Sequence, residues 1–137
     1  MNNDCMTVGM NAYLWWYIVR FYGPILEAGN VSKRGYVMSQ FARFVRPGYF
    51  RVCATSPQRQ IYLTAYRDAA KIVIVAINQR AQDMEQAFQL KDGEAVSFTR
   101  YVTSRTKNCI QESDVAVSSR IFTANLEASS ITTFISN

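Results

Sequence analysis

Six aromatic side chains lie within twelve residues near the start of this chain, between positions 11 and 22. Arg20 and Tyr22 close this segment, immediately before a Gly23-Pro24 turn. Aromatic faces can stack on the apolar faces of sugar rings, and a guanidinium can bind a carboxylate through two parallel hydrogen bonds. These residue types therefore suit a polysaccharide cleft. The alternative is a core strand with buried aromatic residues, from which Arg20 leads into solvent.

The chain offers few groups for other kinds of chemistry. It has no histidine, which excludes Ser-His-Asp and Cys-His catalysis within this chain. Cys5, Cys53 and Cys109 form an odd set without the C-x-x-C spacing of a metal site. We predict three small, partly buried thiols, with no metal site and no cofactor.

Length and composition narrow the class of protein. The 137 residues suit one ordinary domain and are too few for a whole (β/α)8 barrel, which needs ~250. Hydrophobic residues make up 49% and charged residues 18%, as in a globular chain. The net charge of +5 is scattered, with no basic run longer than Lys33-Arg34, so we predict no nucleic-acid partner. No apolar run reaches the ~18 residues of a membrane span, and residues 1–4 are not typical of a secretory signal peptide.

The order of the elements follows from periodicity. Residues 3–9 are typical of a helix end. Residues 11–18 predict a strand with apolar side chains on both faces, as in a parallel barrel strand that is covered on both sides. A loop with two glycine-containing turns is then predicted over residues 20–30.

A helix is predicted over residues 32–46, with Ser32 as its N-cap and Pro47-Gly48 as its end. Its apolar face has helical spacing and comprises Val37, Phe41, Phe44 and Val45.

From Tyr49 onward the pattern alternates, which predicts strands. Turn residues separate eight candidates: Tyr49–Ala54, Gln60–Arg67, Lys71–Asn78, Gln86–Leu90, Ala95–Thr103, Asp114–Ser118, Ile121–Leu126 and Ser130–Ile135. Residues 71–77 are apolar on both faces and should form a central strand. Short strands at this spacing favour an antiparallel β-sandwich.

Several blocks of this sequence resemble glycoside hydrolase family 30, and most closely its xylanase branch that cuts glucuronoxylan. The first and most specific are Asn11-Ala-Tyr-Leu-Trp-Trp-Tyr17, Arg20-Phe-Tyr-Gly-Pro24 and Ser32-Lys-Arg-Gly-Tyr-Val-Met-Ser-Gln-Phe-Ala-Arg-Phe-Val-Arg-Pro-Gly-Tyr49. Lys71-Ile-Val-Ile-Val-Ala-Ile-Asn78, Ser97-Phe-Thr-Arg-Tyr101 and Ser130-Ile-Thr-Thr-Phe134 follow in the family's order. The likeness runs from about Cys5 to the last residue.

The resemblance implies a mixed fold. Residues 1–47 would be a remnant of a (β/α)8 barrel, comprising the end of a helix, the last strand and the last helix. Residues 48–137 would form the family's antiparallel β-sandwich side domain.

The resemblance also implies a retaining glycosidase mechanism in the complete enzyme, with two carboxyl groups ~5–5.5 Å apart. In this family they are glutamates at the ends of the fourth and seventh barrel strands, both of which would lie upstream of Met1. None of the ten acidic residues here lies beside a second one at the end of the aromatic strand. We therefore predict no catalytic residue in this chain, and an inactive chain on its own.

Three residues match the family's substrate-recognition positions. Trp16 would form part of the floor of the subsite beside the cleavage point. Arg20 would pair with the carboxylate of a glucuronic acid branch, and the Tyr22 hydroxyl would support that contact. Trp15 and Tyr13 would face the opposite way, with Trp15 packed beneath helix 32–46. For Arg20, the alternative is a surface ion pair.

The resemblance thus implies xylan or glucuronoxylan oligosaccharides as partners, together with the missing barrel portion or a second copy of the chain. It also implies a secreted parent enzyme. Two other classes stay open. One is a stand-alone, non-catalytic β-sandwich that binds xylan, and the other is a structural partner that completes a barrel supplied by another polypeptide.

Overall fold

The structure, a computed structural model, describes residues 2–10 and 13–137. This part of the chain forms two α-helices and eight strands. The helices are α1 (Asn2–Thr7) and α2 (Lys33–Ala42); the strands are β1 (Phe50–Val52), β2 (Ile61–Arg67), β3 (Ile72–Asn78), β4 (Met84–Gln89), β5 (Ser97–Thr103), β6 (Ile110–Ala116), β7 (Ile121–Leu126) and β8 (Ser130–Ser136). Neither described helix is long and apolar enough to cross a membrane.

The strands form two antiparallel sheets, as the alternating pattern predicted. Six strands pair in the order β1-β2-β3-β8-β5-β6, and β4 pairs with β7 in a second sheet. The predicted central position of residues 71–77 is confirmed, because β3 lies between β2 and β8. Both faces of β3 are buried, which explains its continuous apolar sequence.

The main core lies between the two sheets. Its centre is a group of four phenylalanine rings at distances typical of aromatic packing. Phe88 and Phe122 stack with centroids 4.6 Å apart, and Phe98 and Phe134 lie 4.7 and 5.3 Å from Phe122. These rings come from four different strands, so they join the two sheets.

A second core lies on the other face of the large sheet, where α2 packs. Phe41 and Phe44 contact the sheet residues Tyr66, Val73 and Val75. The predicted N-cap of this helix is confirmed, since the Ser32 hydroxyl accepts a hydrogen bond from the Gly35 amide. The regular helix ends at Ala42, and turns carry the chain on to residue 45.

Buried polar contacts also fix α2 on the sheet. The Gln40 Nε2 donates to Thr103 Oγ1 of β5 at 2.8 Å, and Thr133 Oγ1 of β8 donates to the Gln40 carbonyl at 3.0 Å. Buried hydrogen bonds are geometrically specific, so they fix the rotation of the helix about its axis, its position along that axis and its distance from the sheet.

The predicted strand over residues 11–18 was wrong for the positions that the structure describes. Residues 11 and 12 lie outside the described residues, and residues 13–18 have no regular secondary structure. A parallel strand depends on hydrogen bonds to its neighbours, and none of the eight strands pairs with these residues. The barrel unit and the boundary between residues 47 and 48 therefore stay predictions.

Candidate functional site

The candidate site is carried by the aromatic loop, which we define as residues 13–31. Backbone hydrogen bonds close its central part: the amide of Arg20 donates to the Ile25 carbonyl at 3.1 Å, and the amide of Ile25 donates to the Ile18 carbonyl at 3.0 Å. Gly23 is buried inside this closure, and a Cβ there would lie 2.6 Å from the Ile18 carbonyl oxygen. The backbone thus packs tightly around Gly23, and this packing fixes where the neighbouring side chains begin.

The residues at the start of α2 bind the backbone of the aromatic loop. The Ser32 amide donates to the Pro24 carbonyl at 2.8 Å, and the Ser32 hydroxyl lies 2.7 Å from the carbonyl oxygen of Gly23. Helix and loop approach so closely at Gly35 that a Cβ would lie 2.4 Å from the Pro24 oxygen. Glycine is therefore the residue that this contact permits.

Lys33 connects the same helical turn to the sandwich. Its ammonium donates to the carbonyls of Ser104 and Lys107 at 2.7 and 2.9 Å, and it also binds the side chain of Asn108. All three acceptors belong to the loop between β5 and β6. The aromatic loop is thus tied to the sandwich through α2.

Two of the three predicted site residues meet at one ring, that of Tyr17. Trp16 is 75% exposed and packs edge to face with Tyr17 at 5.2 Å, while the Arg20 guanidinium lies over the Tyr17 ring at 5.2 Å. Tyr17 has a φ of 60°, a left-handed conformation that costs a non-glycine residue ~1–2 kcal/mol. Sequence reasoning missed this role for Tyr17, because the residue type tyrosine does not indicate a left-handed backbone conformation.

The third predicted residue, Tyr22, joins the site differently. Its half-buried ring packs edge to face on Phe21 at 4.9 Å, and its backbone carbonyl accepts a hydrogen bond from Arg34. Among the described residues, no hydrogen bond links the Tyr22 hydroxyl to Arg20. The structure therefore brings Trp16 and Arg20 together, whereas Tyr22 contacts Phe21 and Arg34 instead.

Arg20 also has an acidic neighbour. Its Nη1 lies 3.8 Å from Glu27 Oε1, and both side chains are at least half exposed. This is the surface ion pair of the alternative interpretation, but an exposed pair at this distance contributes at most about 1 kcal/mol. A guanidinium has five donors, so Arg20 retains the capacity to bind a carboxylate of a ligand.

The residues expected on the opposite side lie against the helix. Trp15 is half-buried beneath the Arg34 guanidinium, which is 4.7 Å from the Trp15 ring. Tyr13 is half-buried beside it, with the two ring centroids 6.4 Å apart. Burial raises the pKa of the Tyr13 hydroxyl. Side chains thus alternate between the helix and solvent here, although no strand forms.

A second cluster of charged residues, in the sandwich, has a different character. Arg100, Lys107, Glu112 and Glu127 line a groove of about 450 Å³. Lys107 binds both glutamates, and its hydrogen bond to Glu127 lowers the pKa of that carboxyl. A general acid requires a raised pKa, so this cluster suits an ion network better than acid-base catalysis. Sequence reasoning missed it, because its members are far apart in the chain and meet only in the fold.

No metal site is evident in the described part of the chain, where no group of three potential acidic, cysteine or histidine ligands is placed to hold an ion.

Comparison with known proteins points to one group of enzymes. No family model matches the chain. The glucuronoxylanase XynC of Bacillus subtilis strain 168 is 44% identical over 138 aligned residues, which cover all of this chain and 33% of that protein. A GH30 endoxylanase from Clostridium papyrosolvens superposes with a TM-score of 0.94 at 42% identity, covering 99% of this chain and 36% of the other. The family 30 xylanase Xyn30A from Clostridium acetobutylicum gives the same TM-score at 38% identity. The chain thus spans about a third of the length of these relatives.

Proposed function

The chain is homologous to the C-terminal third of glycoside hydrolase family 30 glucuronoxylanases, and we propose that it carries part of the surface with which such an enzyme recognises acidic xylan. The observation that supports this best is the exposed pair of Trp16 and Arg20, which share the Tyr17 ring. An exposed indole offers a stacking face for a sugar, and a guanidinium beside it offers donors to a sugar carboxylate.

In this proposal each residue has a distinct role. Trp16 forms part of the floor of a sugar subsite. Arg20 exchanges its weak contact with Glu27 for a two-pronged contact with the glucuronate carboxylate. The Tyr22 hydroxyl supports that carboxylate from the neighbouring position.

The proposal assigns recognition and scaffolding, but no bond cleavage, to this chain. The glutamate pair of the retaining mechanism would belong to the upstream two-thirds of the complete enzyme, which would be secreted. Within the described residues, the closely held acids Glu112 and Glu127 share Lys107. The hydrogen bond from Lys107 lowers the pKa of Glu127, which makes this carboxyl a poor general acid, so the proposal gives it no catalytic role.

The exposed apolar residues support a scaffolding role. Leu14, Ile18 and Phe21 are 91%, 65% and 78% exposed, all within the aromatic loop. Surfaces of this kind mark contacts with another polypeptide. The occupant that we propose is the barrel portion of the complete enzyme, and self-association is the competing outcome in its absence. Sedimentation of the chain, alone and mixed with an upstream fragment, distinguishes the two.

Isothermal titration tests the recognition role. We expect the chain to bind glucuronate-bearing xylo-oligosaccharides more tightly than unbranched ones of the same length. Arg20→Ala should reduce affinity for the branched ligand at least about tenfold, because a hydrogen bond to a charged group contributes about 1.5–3 kcal/mol. Arg20→Lys should recover little, since an ammonium cannot form two parallel bonds. Tyr22→Phe should cost about fivefold.

The control is Arg59→Ala, which removes an exposed arginine from the loop before β2 and should leave both affinities unchanged. Equal losses on both ligands in Arg20→Ala would mean that Arg20 holds the loop together and recognises no carboxylate. Xylan binding that survives substitution of both Arg20 and Trp16 would favour the stand-alone binding module, with its site on the sandwich.

A further inference from the structure

Arg34 contacts two points of the aromatic loop, at Trp15 and at Tyr22. Its guanidinium lies 4.7 Å from the Trp15 ring, and its Nη1 donates to the backbone carbonyl of Tyr22. Trp15 and Tyr22 are the residues on either side of the segment 16–21, which includes Trp16, Tyr17 and Arg20. One side chain thus closes the segment that presents the exposed indole and guanidinium.

The support behind Arg34 is rigid. It is the second residue of α2, and its neighbour Lys33 binds the loop between β5 and β6. Farther along the helix, Gln40 is buried and hydrogen-bonded to two strands of the large sheet. The backbone of this turn is therefore held relative to the sandwich. It can impose a position on the loop, which lacks strand pairing of its own over residues 13–18.

Arginine is the cationic residue best suited to make both contacts at once. Its planar guanidinium stacks on an aromatic face while its N–H groups donate in the plane. A lysine ammonium can also attract the ring and donate to the carbonyl, but it lacks the planar stacking face and the fixed donor geometry of a guanidinium, so it replaces the two contacts only in part.

We infer that Arg34 is a positioning residue that holds the ends of segment 16–21 and so sets the placement of Trp16 and Arg20. Its effect on ligand affinity rests on the proposed function. Its effect on the loop does not, so the two can be tested separately.

Hydrogen exchange of backbone amides tests the clamp in the 137-residue chain without a ligand. The informative amides are those of Arg20, Gly23 and Ile25, which close the loop. Arg34→Ala should raise their exchange rates by about tenfold or more through local opening, while amides of β3 and β8 stay unchanged. Arg34→Lys should give an intermediate increase. The control Arg46→Ala removes an exposed arginine whose side chain donates to the Ala42 carbonyl at the end of α2, away from the aromatic loop in sequence, and should change none of these rates.

The titration then connects the clamp to recognition. Arg34→Ala should remove most of the preference for the glucuronate-bearing oligosaccharide over the unbranched one, and Arg34→Lys should restore it only in part. Loop amides that exchange at the parent rate in Arg34→Ala would overturn the inference. So would a preference that Arg34→Lys retains in full, because a ligand-contacting cation rather than a clamp would then explain it.

Two further outcomes separate this inference from the proposed function. If the unsubstituted chain shows no preference for the acidic ligand, the proposed function fails, and the exchange rates still decide the role of Arg34. If Arg34→Ala does not fold, the exchange rates of Arg34→Lys decide it: rates equal to the parent's overturn the clamp, and increased rates confined to the loop support it.

Discussion

Replacing Gly35 by alanine provides a direct test of how tightly the aromatic loop sits on α2. In an isolated helix this change stabilises by about 1 kcal/mol, because glycine is a poor helix former. Here the added Cβ would lie 2.4 Å from the Pro24 oxygen and 2.8 Å from Val31 Cγ1. The first neighbour is backbone, so the steric conflict cannot be relieved by rotating a side chain.

The expected size of the effect follows from these distances. Ordinary van der Waals contact begins at 3.4 Å, so the loop or the helix must move by about 1 Å. Overpacking of a well-packed site costs about 1–3 kcal/mol, which exceeds the gain in helix propensity at all but the low end. We therefore expect a net loss of up to about 2 kcal/mol, or up to roughly 8 °C in thermal midpoint for a chain of this length.

Calorimetry and hydrogen exchange together measure this effect. Gly35→Ala should lower the thermal midpoint and raise exchange at the Gly23 and Ile25 amides, since the loop is displaced from the helix. Ser39→Ala is the control, because it improves helix propensity on the same helix without adding an atom; it removes only the hydrogen bond from the Ser39 hydroxyl to the Tyr36 carbonyl of the same helix. If Gly35→Ala raises the midpoint and leaves the exchange of the loop amides unchanged, the close approach of loop and helix is not maintained in solution. In that case α2 does not position the aromatic loop.

Two other predictions concern the sandwich. Phe122→Ala should lower the free energy of unfolding by about 3–5 kcal/mol, because it removes the ring that contacts Phe88, Phe98 and Phe134. Chemical denaturation measures this loss. The control Thr123→Ala, on the exposed face of the same strand, should lower the free energy of unfolding by less than about 0.5 kcal/mol. The pKa of Glu127 is held below its ordinary value of 4.5 by Lys107, so its stabilisation is present above that pH and is lost as the pH falls through the folded-state pKa. We expect Lys107→Met to lower the free energy of unfolding at pH 7 by about 1 kcal/mol and to make the thermal midpoint fall less steeply below pH 4.5. If the midpoint of the variant falls as steeply as that of the parent, groups other than Glu127 cause the loss of stability in acid.

The sandwich could be predicted from the sequence because its strands carry local signals. Alternation and turn residues located β7 to the residue and β3 to within one. The largest error is β6, predicted at residues 114–118 and found at Ile110–Ala116. This strand lies at the edge of the large sheet and most of its residues are exposed, so its polar start, Gln111-Glu112-Ser113, lacks the alternation of a half-buried strand.

The structure of the aromatic loop, in contrast, could not be predicted from its sequence. Its composition is typical of a strand, but strand formation also requires hydrogen-bonding neighbours that no local pattern can supply. The sequence identified Trp16 and Arg20 as candidate site residues, and the structure shows what it could not: the ring of Tyr17 between them and the Arg34 contacts at either end. Such contacts depend on backbone angles and on distant residues.

Specific contacts connect the sandwich, α2 and the aromatic loop in sequence. Gln40 fixes the helix on the large sheet, and Lys33 fixes its first turn to the loop between β5 and β6. The same turn then holds the aromatic loop through Ser32 and Arg34. Each step is a specific hydrogen bond or ring contact, and under the inference above the last of them, at Arg34, sets the position of Arg20. If the chain recognises acidic xylan as proposed, a sandwich connected in this way would contribute to that recognition. Substitutions at the interface between α2 and the sandwich, far from the sugar, should then alter substrate preference.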